Sequence, residues 1–490
     1  MKPFLISALL AICVPIATAA APSAHDDAIP PSVAAALAQA GLPEDALAAV
    51  ALPLTTRWAR PWQLRAARPM APGSTMKLVT TVVALDRLGP NHRGRTELLA
   101  AGPIEGEMLT GDLVLKGGAD PDLDLPALWQ MLFTLRQRGV RVITGGLLLD
   151  RTLFRPARID VGLPPFDELP EWPYNMIPDA LMLGGNLMQL ALASDGTGVR
   201  ARLTPPLEGV EVDAAAMTLS ESACTDWSDD WLPAVVESLP AARFRIGLRG
   251  GFPRRCDAQG ELQLLDRNVI AERQVRAVWA SLGGLWQRPP GSVREAATPI
   301  DATLVASHRS RPWGEVLRGM NKQSDNAHTR LLFLQLGLAA MAQDATTPTL
   351  ELARREVERW FDERRIDRTG LVVDNGSGLS RSERIAPLTL AQMLKAAHAG
   401  PHAPELLMSL PVAGVDGTMR RRLKGTPAEG WARLKTGTLK NTTALAGYVS
   451  DTRGDTWAVV AMVNHEHAAK GRAALDALIE WVATSGARWR

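Results

Sequence analysis

The texture of the chain changes twice, and this double change restricts its fold more than any other feature. Residues 31–52 form an Ala-rich amphipathic run that reads as a helix followed by a strand. Residues 74–88 read as a second helix, preceded by Gly73 and stopped by Gly89-Pro90. From about residue 96 to 296, short apolar runs such as Leu113-Val114-Leu115 and Leu147-Leu148-Leu149 alternate with Gly and Pro. That is the pattern of strands separated by turns. Residues 287–299 read as an exit linker. From Leu304 a helical texture returns, in 312–320, 326–341 and 350–362, and the chain ends strand, strand, helix over 444–450, 456–464 and 467–481. The pattern predicts one α/β (α+β) domain made from the two ends of the chain, 22–95 and 297–490. A β-rich insertion over 96–296 interrupts it.

The first residues read as a cleaved export signal over 1–21. Lys2 supplies the positive charge, 4–17 is apolar, and Ala17-Thr18-Ala19 and Ala19-Ala20-Ala21 are small-residue cleavage sites. Fourteen or so apolar residues are too few to span a bilayer, and no other stretch is long enough, so membrane association is expected to be absent or peripheral. Cys13 falls in the signal. Its removal leaves Cys224 and Cys256, a pair expected to form a disulfide in an oxidising compartment such as the periplasm. The net charge of +2 offers no footprint for nucleic acid. The cationic residues are lopsided: nine lysines stand against 54 − 9 = 45 arginines. Each lysine therefore merits attention, because a desolvated lysine can lose its proton and an arginine cannot.

Two of the nine lysines fall in short motifs. Ser74-Thr75-Met76-Lys77 opens the second helix, and residues three apart on a helix share a face. A serine hydroxyl needs a base to act as a nucleophile, and a lysine with a lowered pKa can supply it. Ser324-Asp325-Asn326 lies between two helical stretches. A loop there can aim a second hydroxyl and an amide at a peptide-like substrate. The same residues would also serve as an ordinary helix cap. Lys435-Thr436-Gly437-Thr438 precedes two apolar strands and reads as an edge strand. A substrate could pair with it in extended form, with Gly437 allowing close approach and Lys435 and the threonine hydroxyls suiting a carboxylate.

S-x-x-K, S-D-N and K-T-G in this order resemble the signature set of serine β-lactamases and penicillin-binding enzymes. The chain resembles the class C low-molecular-mass penicillin-binding proteins, which are D-alanyl-D-alanine carboxypeptidases and endopeptidases. The resemblance extends to Gly111-Asp112-Leu113, Lys116-Gly117-Gly118-Ala119-Asp120-Pro121, the 374–381 run ending in Arg381, and 410–418. The 324 − 74 = 250 residues between the first two motifs leave room for that family's large insertion. The resemblance implies a penicillin-binding, β-lactamase-like transpeptidase domain, an antiparallel sheet flanked by helices. It implies Ser74 as the acylated serine, Lys77 as its base and Ser324 as an aid to proton transfer. Asn326, Lys435, Thr436, Gly437 and Thr438 would bind substrate. The N–H groups of Ser74 and Thr438 would form the oxyanion hole, and Arg381 would lie near the peptide stem. No cofactor or metal is implied. The expected partners are peptidoglycan peptides ending in D-Ala-D-Ala, with β-lactams as inhibitors.

The chain departs from the family pattern after S-D-N. Ala-Glu is usual there, and this chain reads Ala327-His328-Thr329-Arg330; Lys440 also follows Leu439. His465 and His467 lack further ligands at metal spacing, and 120–124 lacks the Gly and Glu of a calcium loop. The amphipathic run 473–489 is expected to pack on the sheet. A β-lactamase, or a wall-binding protein without turnover, is the alternative reading. The former would need a route to rapid deacylation, and the sequence shows no recognisable Glu-bearing loop for it.

Overall fold

Strands from both ends of the chain meet in one antiparallel sheet. The structure, a computed structural model, describes residues 26–55 and 59–485; the expected export signal lies outside the described residues. In chain order the unit comprises helix α1 (Pro31–Gln39), strands β1 (Leu47–Pro53) and β2 (Trp62–Leu64), and helix α2 (Lys77–Leu88). After the insertion come helices α3 (Trp313–Gln323), α4 (Asn326–Leu336) and α5 (Pro387–His398). Strands β3 (Arg433–Leu439), β4 (Thr442–Ser450) and β5 (Thr456–Asn464) and helix α6 (Arg472–Ser485) complete it. The sheet order is β3-β4-β5-β1-β2, antiparallel throughout, so β1 from the first part of the chain pairs with β5 from the second.

Both faces of this sheet are covered, which is why β1, β4 and β5 are almost continuously apolar and buried. Successive side chains point to opposite faces. Ala48, Val50, Ala444, Ala446, Val460 and Met462 pack with Val79, Val83, Leu332 and Leu390 of α2, α4 and α5. Leu47, Ala49, Leu445, Val459 and Ala461 pack with Val33 and Leu37 of α1 and with Leu475, Leu478 and Val482 of α6. The C-terminal helix therefore sits on the sheet.

The interruption has its own sheet, in the order Val293–Glu295, Leu147–Asp150, Asp112–Lys116, Arg95–Ala101, Thr303–Arg309. The last strand lies where the sequence reads as returning helix. It pairs antiparallel with Arg95–Ala101, a partner some 200 residues away that local pattern cannot supply. Two helices, Leu125–Gln137 and Arg267–Ser281, cover this sheet, although the segment reads as strands alone. The second hides from pattern analysis because its buried positions include Arg267, Glu272, Arg273 and Arg276, satisfied by one another and by Asp179. An outer lobe of two further sheets has a core around Ile246, Phe252 and Trp231, and carries the Cys224–Cys256 disulfide, with Cα atoms 5.4 Å apart.

Candidate active site

Ser74 stands at the entry to α2, but not in the α-helix. Gly73–Met76 forms a 3-10 turn and the α-helix begins at Lys77. In a 3-10 turn residues i and i+3 eclipse, which lines Ser74 up with Lys77 more directly than an α-turn would. Lys77 Nζ lies 3.0 Å from Ser74 Oγ and 2.6 Å from Asn326 Oδ1, and it also contacts the carbonyl oxygen of Ser377. The lysine is wholly buried. Desolvation lowers its pKa to about 7, with Arg330 pushing the same way, against the opposing pull of Glu383 and Asp325. In its neutral form Lys77 has two N–H groups and one lone pair. Asn326 and Ser377 take the two hydrogens, and the lone pair is left facing the Ser74 hydroxyl. That is the arrangement a general base needs.

The Ser324–Asn326 loop divides its residues between structure and site. Ser324 ends α3 in the left-handed region, φ 63°, ψ 40°. Asp325 caps α4 by accepting from the His328 N–H. The capping role foreseen for this motif thus falls to its middle residue, and the αL turn swings Ser324 the other way, where Lys435 Nζ donates to its Oγ at 2.8 Å. Asn326 donates to the Tyr174 carbonyl at 2.8 Å while accepting from Lys77. One amide hydrogen and one lone pair remain for a substrate. Among the described residues no hydrogen bond joins Ser324 to Lys77 or Ser74.

Lys435 lies on β3, at the sheet edge. It is also wholly buried, and desolvation together with the Lys77 charge holds its pKa well below the ordinary value. Its other contact is the Thr436 carbonyl at 2.9 Å. Thr436 Oγ1 lies 2.8 Å from Thr418 Oγ1, which places a second hydroxyl beside it. The free edge of β3 runs against the 3-10 turn with glycine at the closest points. A Cβ on Gly437 would sit 2.3 Å from the Pro72 carbonyl oxygen, and one on Gly378 2.1 Å from that of Gly73. The Thr438 backbone nitrogen is also close, 3.0 Å from where a Gly73 Cβ would lie. This brings the backbone N–H groups of Ser74 and Thr438 into one neighbourhood.

Ser74, Ser324, Asn326, Thr438 and Arg381 all line one cleft of about 820 Å³. Arg381 lies at its rim, with its guanidinium over the Phe166 ring at 5.3 Å and donating to the Phe166 carbonyl at 3.2 Å. Lys440 and His465 line the same cleft.

Sequence reasoning missed three contributors. The Ser377 carbonyl acts through its backbone, which no side-chain pattern reports. Glu383 is wholly buried, and its carboxylate accepts from the N–H groups of Asp374, Asn375 and Gly376, fixing the loop that presents Ser377. Burial pushes its pKa up. Its only sequence signal is an acid two residues beyond the 374–381 run. Tyr174, one of two tyrosines in the chain, reaches the site from the interruption.

A family model described as the D-Ala-D-Ala carboxypeptidase 3 (S13) family matches residues 30–485. The D-alanyl-D-alanine carboxypeptidase of Actinomadura sp. (strain R39) is 30% identical over 416 residues, 81% of this chain and 74% of that protein. The D-alanyl-D-alanine carboxypeptidase DacB of Haemophilus influenzae is 27% identical over 404 residues, 81% of this chain and 80% of the relative. The crystal structure of penicillin binding protein 4 (dacB) from the same organism shares the fold. Its TM-score is 0.68 at 24% identity, covering 88% of this chain and 93% of that one.

Proposed function

The chain belongs to the D-Ala-D-Ala carboxypeptidase 3 (S13) family of serine enzymes, and from that premise we propose that Ser74 is its nucleophile and Lys77 the base that activates it. The observation that carries the assignment is the Lys77 amine: buried, held by Asn326 and Ser377, and within 3.0 Å of the Ser74 hydroxyl, which its lone pair faces in the neutral form.

The reaction is a two-step acyl transfer. The substrate stem lies along the edge of β3, its terminal carboxylate near Lys435, Thr436 and Thr418. Ser74 Oγ attacks the carbonyl of the penultimate D-alanine as its proton passes to Lys77 Nζ. The Ser74 and Thr438 N–H groups receive the oxyanion. The C–N bond breaks, the leaving amine takes the proton, and Ser324 Oγ, held by Lys435, assists that transfer. Water then cleaves the ester. With a cross-linked substrate the same steps release a different amine, which makes the enzyme a DD-endopeptidase as well. Arg381 at the rim is placed for an anionic group of the stem.

A β-lactam presents its carbonyl to the same serine, and the expected result is a long-lived ester. The Cys224–Cys256 disulfide is consistent with an exported enzyme. We place it in the periplasm. Fluorescent penicillin should label the wild-type protein and not Ser74→Ala. Equal labelling of the two would remove Ser74 from the mechanism. Mass analysis of peptidoglycan before and after digestion should show loss of terminal D-alanine and of D-Ala cross-links. Rapid turnover of a chromogenic cephalosporin would instead favour a β-lactamase.

A further inference from the structure

Besides the Asn326–Tyr174 bond, the Ser324–Asn326 region is joined to the interruption by His328, a side chain that stands where the chain departs from its family pattern. His328 Nδ1 lies 2.7 Å from Asp325 Oδ2, and His328 Nε2 lies 3.1 Å from the Pro121 carbonyl oxygen. Its backbone N–H donates to the other carboxylate oxygen of Asp325 at 2.9 Å. A carbonyl oxygen has no proton to give. Asp325 has none either: burial works against its charge, but the hydrogen bonds from the His328 ring and backbone N–H help hold its carboxyl below the usual range. Both ring nitrogens must therefore donate, and an imidazole that donates twice is a cation. The electrostatics agree. Burial alone would lower the His328 pKa, yet the Asp325 hydrogen bond and charge, with Pro121 and Asp122, raise it.

We propose that His328 is a positioning residue: as an imidazolium it ties the Ser324–Asn326 loop to Pro121 and offsets part of the charge that Asp325 presents to Lys77. The inference rests on the reading of Lys77 as the base. Lys77 lies in the field of Glu383 and Asp325, which favour its protonated form, and of Arg330, which opposes it. With the imidazolium removed, Asp325 acts on Lys77 uncompensated, and more of the base is protonated at neutral pH.

The other charges facing His328 do not replace it. Asp122 is held by Arg311 at 2.7 Å. His308 is paired with Asp120 at 2.7 Å. Asp124 and Arg309 line the same cavity, of about 910 Å³, as His328. The His328 and Asp325 side chains are each 31% exposed, so solvent screens part of the coupling.

The test is the rate of acylation by a fluorescent penicillin, measured against pH for the wild type, His328→Gln, the double variant His328→Gln/Asp325→Asn, and Lys77→Arg. The wild-type rate should fall below about pH 7, where Lys77 gains its proton. In His328→Gln that limb should move up by on the order of half to one pH unit, cutting acylation at pH 6.5 by about threefold to tenfold. In the double variant, which lacks the uncompensated carboxylate, the limb should return toward its wild-type position. A His328→Gln rate lowered equally at every pH would mean that His328 only braces the loop, and would overturn the proposal. So would a double variant whose limb stays displaced. Thermal melting of each variant distinguishes these outcomes from unfolding. The reading of Lys77 fails separately, through wild-type acylation that has no acid limb or through full activity in Lys77→Arg.

Discussion

A buried lysine is the residue on which this site depends. Lys77 costs the fold a desolvated cation, and the fold relieves that cost by releasing the proton. Its pKa of about 7 lies far below the 10.5 of a free lysine. With Lys77 as the proposed base the active form is the neutral one, so acylation should be half-maximal near pH 7, approach its plateau about one pH unit higher, and fall about tenfold per pH unit well below. Second-order acylation rates across pH 5 to 9 check this. Lys77→Arg keeps a cation of similar reach that cannot deprotonate. It should lower acylation by about 10²- to 10⁴-fold at every pH in that range, with thermal melting showing that the protein remains folded. Lys435, equally buried, makes no contact with Ser74 among the described residues. It donates to Ser324 Oγ, and burial with the Lys77 charge holds its pKa well below the ordinary value.

At the scale of elements, the site is made where three termini converge: the 3-10 entry to α2, the turn between α3 and α4, and the edge of β3. Each of the three motifs reads correctly as a local element in the sequence, with one difference of consequence. Ser74 lies in the 3-10 turn rather than in the helix, which improves its alignment with Lys77. The α3–α4 turn carries strain, because Ser324 occupies a left-handed conformation that costs a residue with a Cβ about 1 kcal/mol. Ser324→Ala and Ser324→Gly both remove the hydroxyl from Lys435, so the comparison between them isolates the backbone. The glycine variant should be the more stable of the two by about 1 kcal/mol in chemical denaturation, with both acylating more slowly than wild type. An alanine variant as stable as the glycine one would mean that the turn is not strained.

At the scale of the molecule, the cores are distinct. The clusters on either face of the catalytic sheet share no residue with the cluster around Ile246 and Phe252 in the outer lobe. The Cys224–Cys256 bridge closes a loop between positions 32 apart in that lobe. Opening it with Cys224→Ala/Cys256→Ala should destabilise the lobe by about 2–4 kcal/mol, visible as a lower-temperature transition in calorimetry. Penicillin labelling at 25 °C should survive. Loss of labelling together with that transition would show that the lobe and the cleft unfold as one. The interruption nevertheless touches the site, through the Tyr174 carbonyl on Asn326, the Pro121 carbonyl on His328 and Phe166 against Arg381.

The sequence by itself determined the reagents and their order. A serine, a lysine three residues on, a second serine with an asparagine, and a lysine before Thr-Gly-Thr are local patterns, and their chemistry follows from residue type. It also determined that a strand-rich segment separates the two parts of the domain, since alternation and turn residues are local too. It could not place Thr303–Arg309, whose strand character comes from pairing with Arg95–Ala101, nor Arg267–Ser281, whose buried charges pair with one another and with the distant Asp179. It could not say that Lys77 would surrender its proton, that a carbonyl at Ser377 would take one of its hydrogens, or that His328 would reach Pro121. Desolvation and hydrogen-bond partnership depend on everything packed around a group. Only the tertiary structure, by closing two ends of the chain around Ser74, decided that these reagents form a site.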